Sequence, residues 1–132
     1  MLPEGNIRAI ANTDLSVLAK LGLDQATAMR AMAQDMGWIL ADGSILLGAA
    51  TSYLADGTVF LDRLVGDQSA KLALIQHAVS YARWSYAPAV TLIAPPALGA
   101  IKALGFVGID QERLTPQLKF AAKTNKVLMK RL

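Results

Sequence analysis

The stretch from Trp38 to Val65 decides the fold, and it reads WILADGSILLGAATSYLADGTVFLDRLV. Two Asp-Gly pairs, Asp42-Gly43 and Asp56-Gly57, separate three mainly apolar runs. Asp-Gly between apolar runs is a strong hairpin signal, because both central residues of the favoured turn need a positive φ. The stretch therefore predicts a three-stranded antiparallel meander, with strands over 38–41, 44–54 and 58–65.

The segment before the meander predicts one strand and two helices. Asn6 to Ile10 alternates polar and apolar residues, as a short strand does. The pair Thr13-Asp14 offers N-caps for a helix over LSVLAKLG, which Gly22 can close. Asp24 is a suitable N-cap for a second helix, QATAMRAMAQDM, which is rich in helix-forming alanine and methionine and ends at Gly37.

The segment after the meander contains the clearest helix, from Ser69 to Tyr86, with Ser69 as its expected N-cap. Its apolar stripe consists of Leu72, Ile75, Val79 and Ala82. The remaining predicted elements are a buried strand over 89–94, a two-turn helix over 97–104 ended by Gly105, a strand over 106–110, a polar, irregular segment over 111–125 that can be helical in part, and a last strand over 126–132.

The resulting element order is β-α-α-β-β-β-α-β-α-β-β. It predicts an α/β fold in a single domain over residues 1–132, with a mixed sheet and helices on both of its faces. The strand-helix-strand unit between Thr58 and Ala94 should have parallel strands and a right-handed connection.

Composition narrows the class of protein. The 132 residues include no cysteine and a single histidine, which excludes disulfides, thiolate metal sites, a cysteine nucleophile and sites that need two histidines. No metal cofactor is expected. Apolar residues make up 54% of the chain, enough for a buried core. No apolar run reaches the roughly 20 residues of a membrane helix, and the N-terminus lacks a signal-peptide core, so we expect a cytoplasmic protein with no membrane partner.

The net charge of +3 is unevenly distributed along the chain. No acidic residue follows Glu112, whereas six basic residues do: Arg113, Lys119, Lys123, Lys126, Lys130 and Arg131. Such an end can contact phosphates or an acidic partner, or it can be a solvated edge. No DNA- or RNA-binding motif accompanies it, so a nucleic-acid partner is not expected.

Several stretches, in this order and over nearly the whole chain, resemble the GNAT N-acetyltransferases. NIRAIANTDLSVLAKL resembles the family's opening strand and first helix, and ILLGAATSYL resembles its third strand, with Gly48 at the usual glycine. ALGAIKALGF resembles the late helix that ends here in Gly105-Phe106, and KVLMKRL resembles the closing strand. The resemblance implies the acyl-CoA N-acyltransferase fold and acyl transfer from acetyl-CoA to an amine acceptor that the sequence does not identify.

The resemblance also implies where acetyl-CoA binds, namely where the fourth strand meets the long helix and backbone N–H groups can hold a diphosphate. This loop is shorter than the family's and contains one glycine. Asp67 places a negative charge where the diphosphate would rest, and Lys71 could compensate for it. The matching residues are Leu64, Val65, Gly66, Gln68, Ser69, Ala70 and Lys71.

Two residues are candidates for the catalysis that the resemblance implies. Asp62, in the fourth strand, lies near the position of the family's general base, or it is a surface aspartate. Tyr53 could line the acceptor cleft with its hydroxyl, or its ring could pack across the strands on Phe60. Ile101 stands where many relatives have a proton-donating tyrosine, and Ala94-Pro95-Pro96 replaces a frequent asparagine.

Other side chains have a functional and a structural interpretation. His77 lies on the long helix and is either a functional imidazole or a half-exposed helix residue. Trp38, Trp84 and Tyr86 could form an aromatic patch or the edge of the core. Three methionines of the second helix could line a pocket, join the core or form a dimer face: Met29, Met32 and Met36.

The departures at the loop, the asparagine and the tyrosine leave a second function open. The chain could be a non-catalytic binding or structural module with a GNAT-like fold, for example a phage accessory or virion protein. A homo-oligomer or larger assembly would suit that function. Binding of acetyl-CoA distinguishes the two alternatives.

Overall fold

The computed structural model describes residues 6–94 and 99–132, and within them seven strands form one mixed sheet in the order β1-β2-β3-β4-β5-β7-β6. The predicted order of elements is confirmed, and part of the irregular segment over 111–125 is helical, as the sequence allowed, and forms α5. The bounds are β1 Asn6–Ala9, α1 Leu15–Lys20, α2 Gln25–Ala33, β2 Gly37–Asp42, β3 Ile45–Ala55, β4 Thr58–Gly66, α3 Gln68–Trp84, β5 Ala89–Ile93, α4 Gly99–Ala103, β6 Val107–Ile109, α5 Pro116–Ala122 and β7 Val127–Arg131.

The chain divides into two compact units. The first unit comprises Met1–Tyr53 and Asp62–His77, and the second comprises Leu54–Leu61 and Ala78–Leu132. That residues 1–132 form a single domain stays a prediction. No helix in the described ranges is long and apolar enough to cross a bilayer.

In the first unit, β1, β2 and β3 pair antiparallel. The predicted hairpin after β2 is present, but its turn lies one residue later than expected, because Asp42 pairs with Ile45. Gly43 alone has a positive φ, +60°, whereas Asp42 continues the strand. The core beneath these strands combines Leu18 and Leu23 with Ile39 and other buried apolar residues.

The helix ends of the first unit follow the predicted caps in part. Asp24 caps α2, since its carboxylate accepts the N–H of Thr27 at 3.0 Å. Gly22, with a φ of +98°, ends α1 as predicted. Asp14 does not cap α1 through its side chain; it binds Arg8 instead. The second helix ends at Ala33, before the predicted boundary at Gly37, which belongs to β2.

The second unit surrounds the buried strand β5. As predicted, β4 and β5 are parallel, with register from Val59↔Val90 to Leu61↔Leu92. β7 pairs antiparallel with β5 and with β6. The Asp56-Gly57 turn has positive φ at both residues, as predicted. Asp56 and Gln117, at the start of α5, exchange two hydrogen bonds of 2.7 and 3.1 Å.

The late helix is confirmed as α4, and Gly105 ends it with a φ of +99°. Residues 95–98, which include the prolines that replace the family's asparagine and the predicted start of the helix, lie outside the described residues.

Candidate functional site

Asp62 lies in β4 and its carboxylate is occupied on both oxygens. Arg30 of α2 donates from Nη2 to Oδ1 and from Nη1 to Oδ2, both at 3.1 Å. Thr51 of β3 donates from Oγ1 to the same Oδ1 at 2.9 Å. The Asp62 side chain is 17% exposed. It is therefore neither a free surface carboxylate nor an unengaged base, and a proton taken up by Asp62 would weaken its ion pair with Arg30.

Arg30 connects Asp62 to Tyr53. The guanidinium carbon of Arg30 lies 4.8 Å from the centre of the Tyr53 ring, within the range of a cation–π contact. Its Nε atom is buried and has no hydrogen-bond partner among the described residues. Arg30, Thr51, Tyr53 and Asp62 thus form one polar cluster in the first unit, which we call the Arg30 cluster.

Tyr53 keeps its proton at neutral pH. Burial, followed by the negative charge of Asp62, raises the pKa of Tyr53, while the positive charge of Arg30 acts in the opposite direction. A protonated phenol can donate a hydrogen bond or a proton to a developing anion. Tyr53 is therefore the member of the Arg30 cluster best suited to act as a donor.

The junction of β4 and α3 holds the residues predicted to bind the donor. Asp67 caps α3, because its Oδ1 accepts the N–H of Ala70 at 2.8 Å and its carbonyl accepts the N–H of Lys71 at 3.0 Å. The prediction that Ser69 is the N-cap is wrong, since the helix begins at Gln68. Aspartate one residue before the first helical position satisfies an N–H that the helix itself cannot.

Two glycines allow the backbone of this junction to pack closely against β3. A Cβ on Gly66 would lie 2.7 Å from the carbonyl oxygen of Leu47, and the φ of Gly66 is +120°. A Cβ on Gly48 would lie 2.7 Å from the carbonyl oxygen of Val65 and 3.0 Å from the Cβ of Ala70. Only glycine permits both approaches, so the backbone leading into α3 is held in place.

The predicted donor-binding residues form one continuous segment. Leu64, Val65 and Gly66 end β4, and the other four open α3. Ala70 is buried, Lys71 is half-buried, and Gln68 and Ser69 are exposed. That this segment binds a donor stays a prediction.

The remaining candidate residues are a histidine, three aromatic residues and Ile101. His77 meets Trp38 edge-on with ring centres 5.2 Å apart, and burial lowers the pKa of His77. Trp38 is buried, so it does not belong to an exposed aromatic patch, whereas Trp84 and Tyr86 are exposed. Ile101 is buried in the second unit.

The methionines of the second predicted helix differ from one another in their surroundings. Met32 packs partly buried against the core of the first unit, and Met36 is buried. Met29 is half exposed. At least two of the three methionines therefore serve the core.

Sequence reasoning missed Arg30 and Thr51, which hold Asp62. Arginine is common in helices and threonine is common in strands, so neither residue stands out in the sequence. Neither spacing nor periodicity pairs them with Asp62, because Arg30 and Asp62 are 32 residues apart. In the described part of the chain no group of three or more histidine, aspartate or glutamate side chains is arranged to hold a metal ion.

Comparison with solved structures decides the fold. N-acetylglutamate synthase from Neisseria gonorrhoeae, complexed with coenzyme A and N-acetyl-glutamate, matches with a TM-score of 0.80 at 15% identity, over 100% of this chain and 36% of that chain. A GNAT-family acetyltransferase from Staphylococcus aureus Mu50 matches with a TM-score of 0.74 at 11% identity, over 96% and 98% of the two chains. The chain has the GNAT fold.

A third match to the GNAT fold is Arabidopsis thaliana Naa50 in complex with the bisubstrate analogue CoA-Ac-MVNAL. Its TM-score is 0.73 at 16% identity, over 98% of this chain and 100% of that chain. The chain spans about a third of the gonococcal synthase, 36% of its length. No protein-family sequence profile and no curated protein matches the chain.

The coenzyme A of the gonococcal structure and the bisubstrate CoA analogue of the Arabidopsis structure prompt a test of the residues present here. The resemblance assigns the diphosphate of CoA to the N-terminus of α3. In this chain Asp67 places a carboxylate there and occupies the N–H of Ala70. A second anion at the same end of the helix would meet a like charge, so the segment does not fit a diphosphate.

Proposed function

We propose that the chain is an N-acyltransferase, which transfers an acyl group from a thioester to an amine. The observation that supports this most strongly is the match of the whole chain, at a TM-score of 0.80, to a structure that holds coenzyme A and N-acetyl-glutamate. The two other matches described above are to an acetyltransferase of the GNAT family and to a complex with a bisubstrate CoA analogue.

The acceptor we propose is the α-amino group of an amino acid or of a peptide. The gonococcal structure carries N-acetyl-glutamate and the Arabidopsis structure carries the bisubstrate analogue CoA-Ac-MVNAL. In such a transfer a C–N bond forms and the C–S bond breaks. The amine gives up a proton, and the leaving thiolate takes one up.

The Arg30 cluster supports a division of roles among its members. Tyr53 is protonated at neutral pH and can donate to an anion. Asp62 is a positioning residue, because it holds the guanidinium of Arg30 against the Tyr53 ring. The hypothesis that Asp62 is the general base stays a prediction, and the ion pair with Arg30 speaks against it.

An acetylation assay tests this function. Purified protein is incubated with an acetyl thioester and a panel of amines that includes glutamate and a short peptide, and the products are identified by mass spectrometry. Tyr53→Phe should lower kcat at least about 10-fold, because the proposed donor hydroxyl is lost. KM should change little, because the aromatic ring remains. Tyr86→Phe is the matched control, since Tyr86 is 93% exposed, and it should leave kcat unchanged.

Absence of an acetylated product from every amine would contradict the proposal. The chain would then fit the alternative of a non-catalytic module with the same fold, for which a phage origin stays a prediction. The expectations of a cytoplasmic location and of a homo-oligomer or larger assembly also stay predictions.

A further inference from the structure

We infer that Asp67 is a fixed anion at the N-terminus of α3 that cancels the attraction of this helix end for the diphosphate of an acyl donor. The inference rests on the proposed function and narrows its donor class. The donor class is a thioester on a pantetheine arm. The phosphates that CoA carries beyond this arm should add little to the affinity of the donor.

The first step concerns the electrostatics of the helix end. The 17-residue helix α3 presents the positive end of its dipole and the N–H groups of its first turn at Gln68 to Ala70. Asp67 uses this end itself, with a 2.8 Å hydrogen bond to the N–H of Ala70. The carboxylate thus takes the place at the helix end that an external anion would otherwise fill.

The second step concerns the rigidity of the junction. Gly66 packs its backbone so closely on Leu47 and Gly48 that an added Cβ would lie 2.7 Å from the Leu47 carbonyl oxygen. The backbone of Asp67 follows directly and continues into the first intrahelical hydrogen bond, from the Lys71 N–H. Withdrawing the carboxylate would break its hydrogen bond to the Ala70 N–H.

The third step concerns the charge that remains. Lys71 lies in the first turn of α3 and forms no ion pair with any described residue. Its positive charge and the negative charge of Asp67 balance, so this end of the helix offers a diphosphate no net attraction from its side chains. Removing the charge of Asp67 should therefore create a net positive end.

Calorimetric titration of the whole chain with CoA and with pantetheine tests the inference. Pantetheine has the same thiol arm and no phosphate. Asp67→Ser removes the charge and keeps a good N-cap, and Asp67→Asn is a second variant that keeps the cap through its amide oxygen. Asp24→Ser is the matched control, because Asp24 caps α2 in the same way, with a 3.0 Å bond to the N–H of Thr27.

We expect both Asp67 variants to bind CoA about 10-fold more tightly than the natural chain and to bind pantetheine unchanged. Asp24→Ser should change neither affinity. The inference is overturned if the Asp67 variants gain no affinity for CoA, if they gain equally for pantetheine, or if Asp24→Ser gains as much. If the natural chain binds CoA and the variants bind it equally, the proposed function stands while this inference fails; if no chain binds CoA or pantetheine, both fail.

Discussion

Arg30 of α2 and Asp62 of β4 form a bidentate ion pair, in which both N–O distances are 3.1 Å. The pair is partly screened from water, since the Arg30 and Asp62 side chains are 35% and 17% exposed. Planar guanidinium and carboxylate groups in this arrangement form strong, oriented hydrogen bonds. The pair therefore fixes the position of Arg30 in the Arg30 cluster, beside the Tyr53 ring.

Arg30→Met should destabilise the fold by about 1–3 kcal/mol, because it leaves a half-buried carboxylate with the Thr51 hydroxyl as its remaining partner. A double-mutant cycle with Asp62→Asn, measured by urea denaturation, should give a coupling energy of about 0.5–3 kcal/mol. Arg63→Met is the control, since Arg63 reaches Asp24 only at 3.9 Å on the surface and should cost less than about 0.5 kcal/mol. Equal losses in the free energy of unfolding for the Arg30 and Arg63 variants would show that the Arg30–Asp62 pair stabilises the fold no more than a surface pair does.

Gly48→Ala should destabilise the chain by about 1–3 kcal/mol, because the added methyl would meet the Val65 carbonyl oxygen at 2.7 Å. Gly66→Ala should cost at least as much, since its φ of +120° adds backbone strain to a similar clash. Gly99→Ala is the control: nothing lies within 4 Å of its Cβ position and its φ is not in the strained range. Thermal denaturation midpoints that fall equally in all three variants would contradict the close approach of β3 to the β4–α3 junction.

The Arg8–Asp14 pair predicts a loss of stability in acid. The hydrogen bond from Arg8 lowers the pKa of Asp14, the N–H of Ala11 adds to this, and burial acts in the opposite direction. The stabilisation is complete above the unfolded-state pKa of about 3.9 and is lost as the pH falls through the lower folded-state pKa. Asp14→Asn should therefore be less stable than the natural chain at neutral pH, and the difference should shrink in acid. Denaturant midpoints across pH 2–6, with the exposed Asp42→Asn as control, check this; a constant difference would contradict it.

Burial of His77 predicts a second pH dependence at milder pH. Burial lowers the pKa of His77, so the unfolded chain binds its proton more readily than the folded chain. Stability is therefore full above the unfolded-state pKa of about 6.5 and decreases as the pH falls below it. His77→Gln should flatten the stability profile between about pH 5 and 7. The variant tests His77 specifically, because the sequence has no other histidine. An unchanged slope of stability against pH would show that His77 does not cause this pH dependence.

The order of elements could be predicted from the sequence because its signals are local. Asp56-Gly57 forms its turn with positive φ at both residues, and Gly22 and Gly105 end their helices as expected. The junction of β4 and α3 was predictable for the same reason, since the strand runs directly into the helix. Positions that depend on competing local partners were missed: Asp67 caps α3 one residue before the helix, where Ser69 was expected.

The Arg30 cluster was beyond prediction for a different reason. Asp62 and Tyr53 could be singled out from their places in β4 and β3. Their partner Arg30 comes from a helix distant in sequence, and only the packing of α2 brings it to Asp62. A long-range contact of this kind leaves no periodicity or spacing in the chain.

The most direct test of the central claim is product formation by the natural chain with acetyl-CoA and acetyl-pantetheine in parallel, each offered with glutamate and a short peptide. We predict an acetylated amine and an equivalent amount of free thiol from both donors, with kcat/KM values within about 10-fold of each other. No acetylated product and no released thiol from either donor would contradict the proposal that this chain catalyses N-acyl transfer.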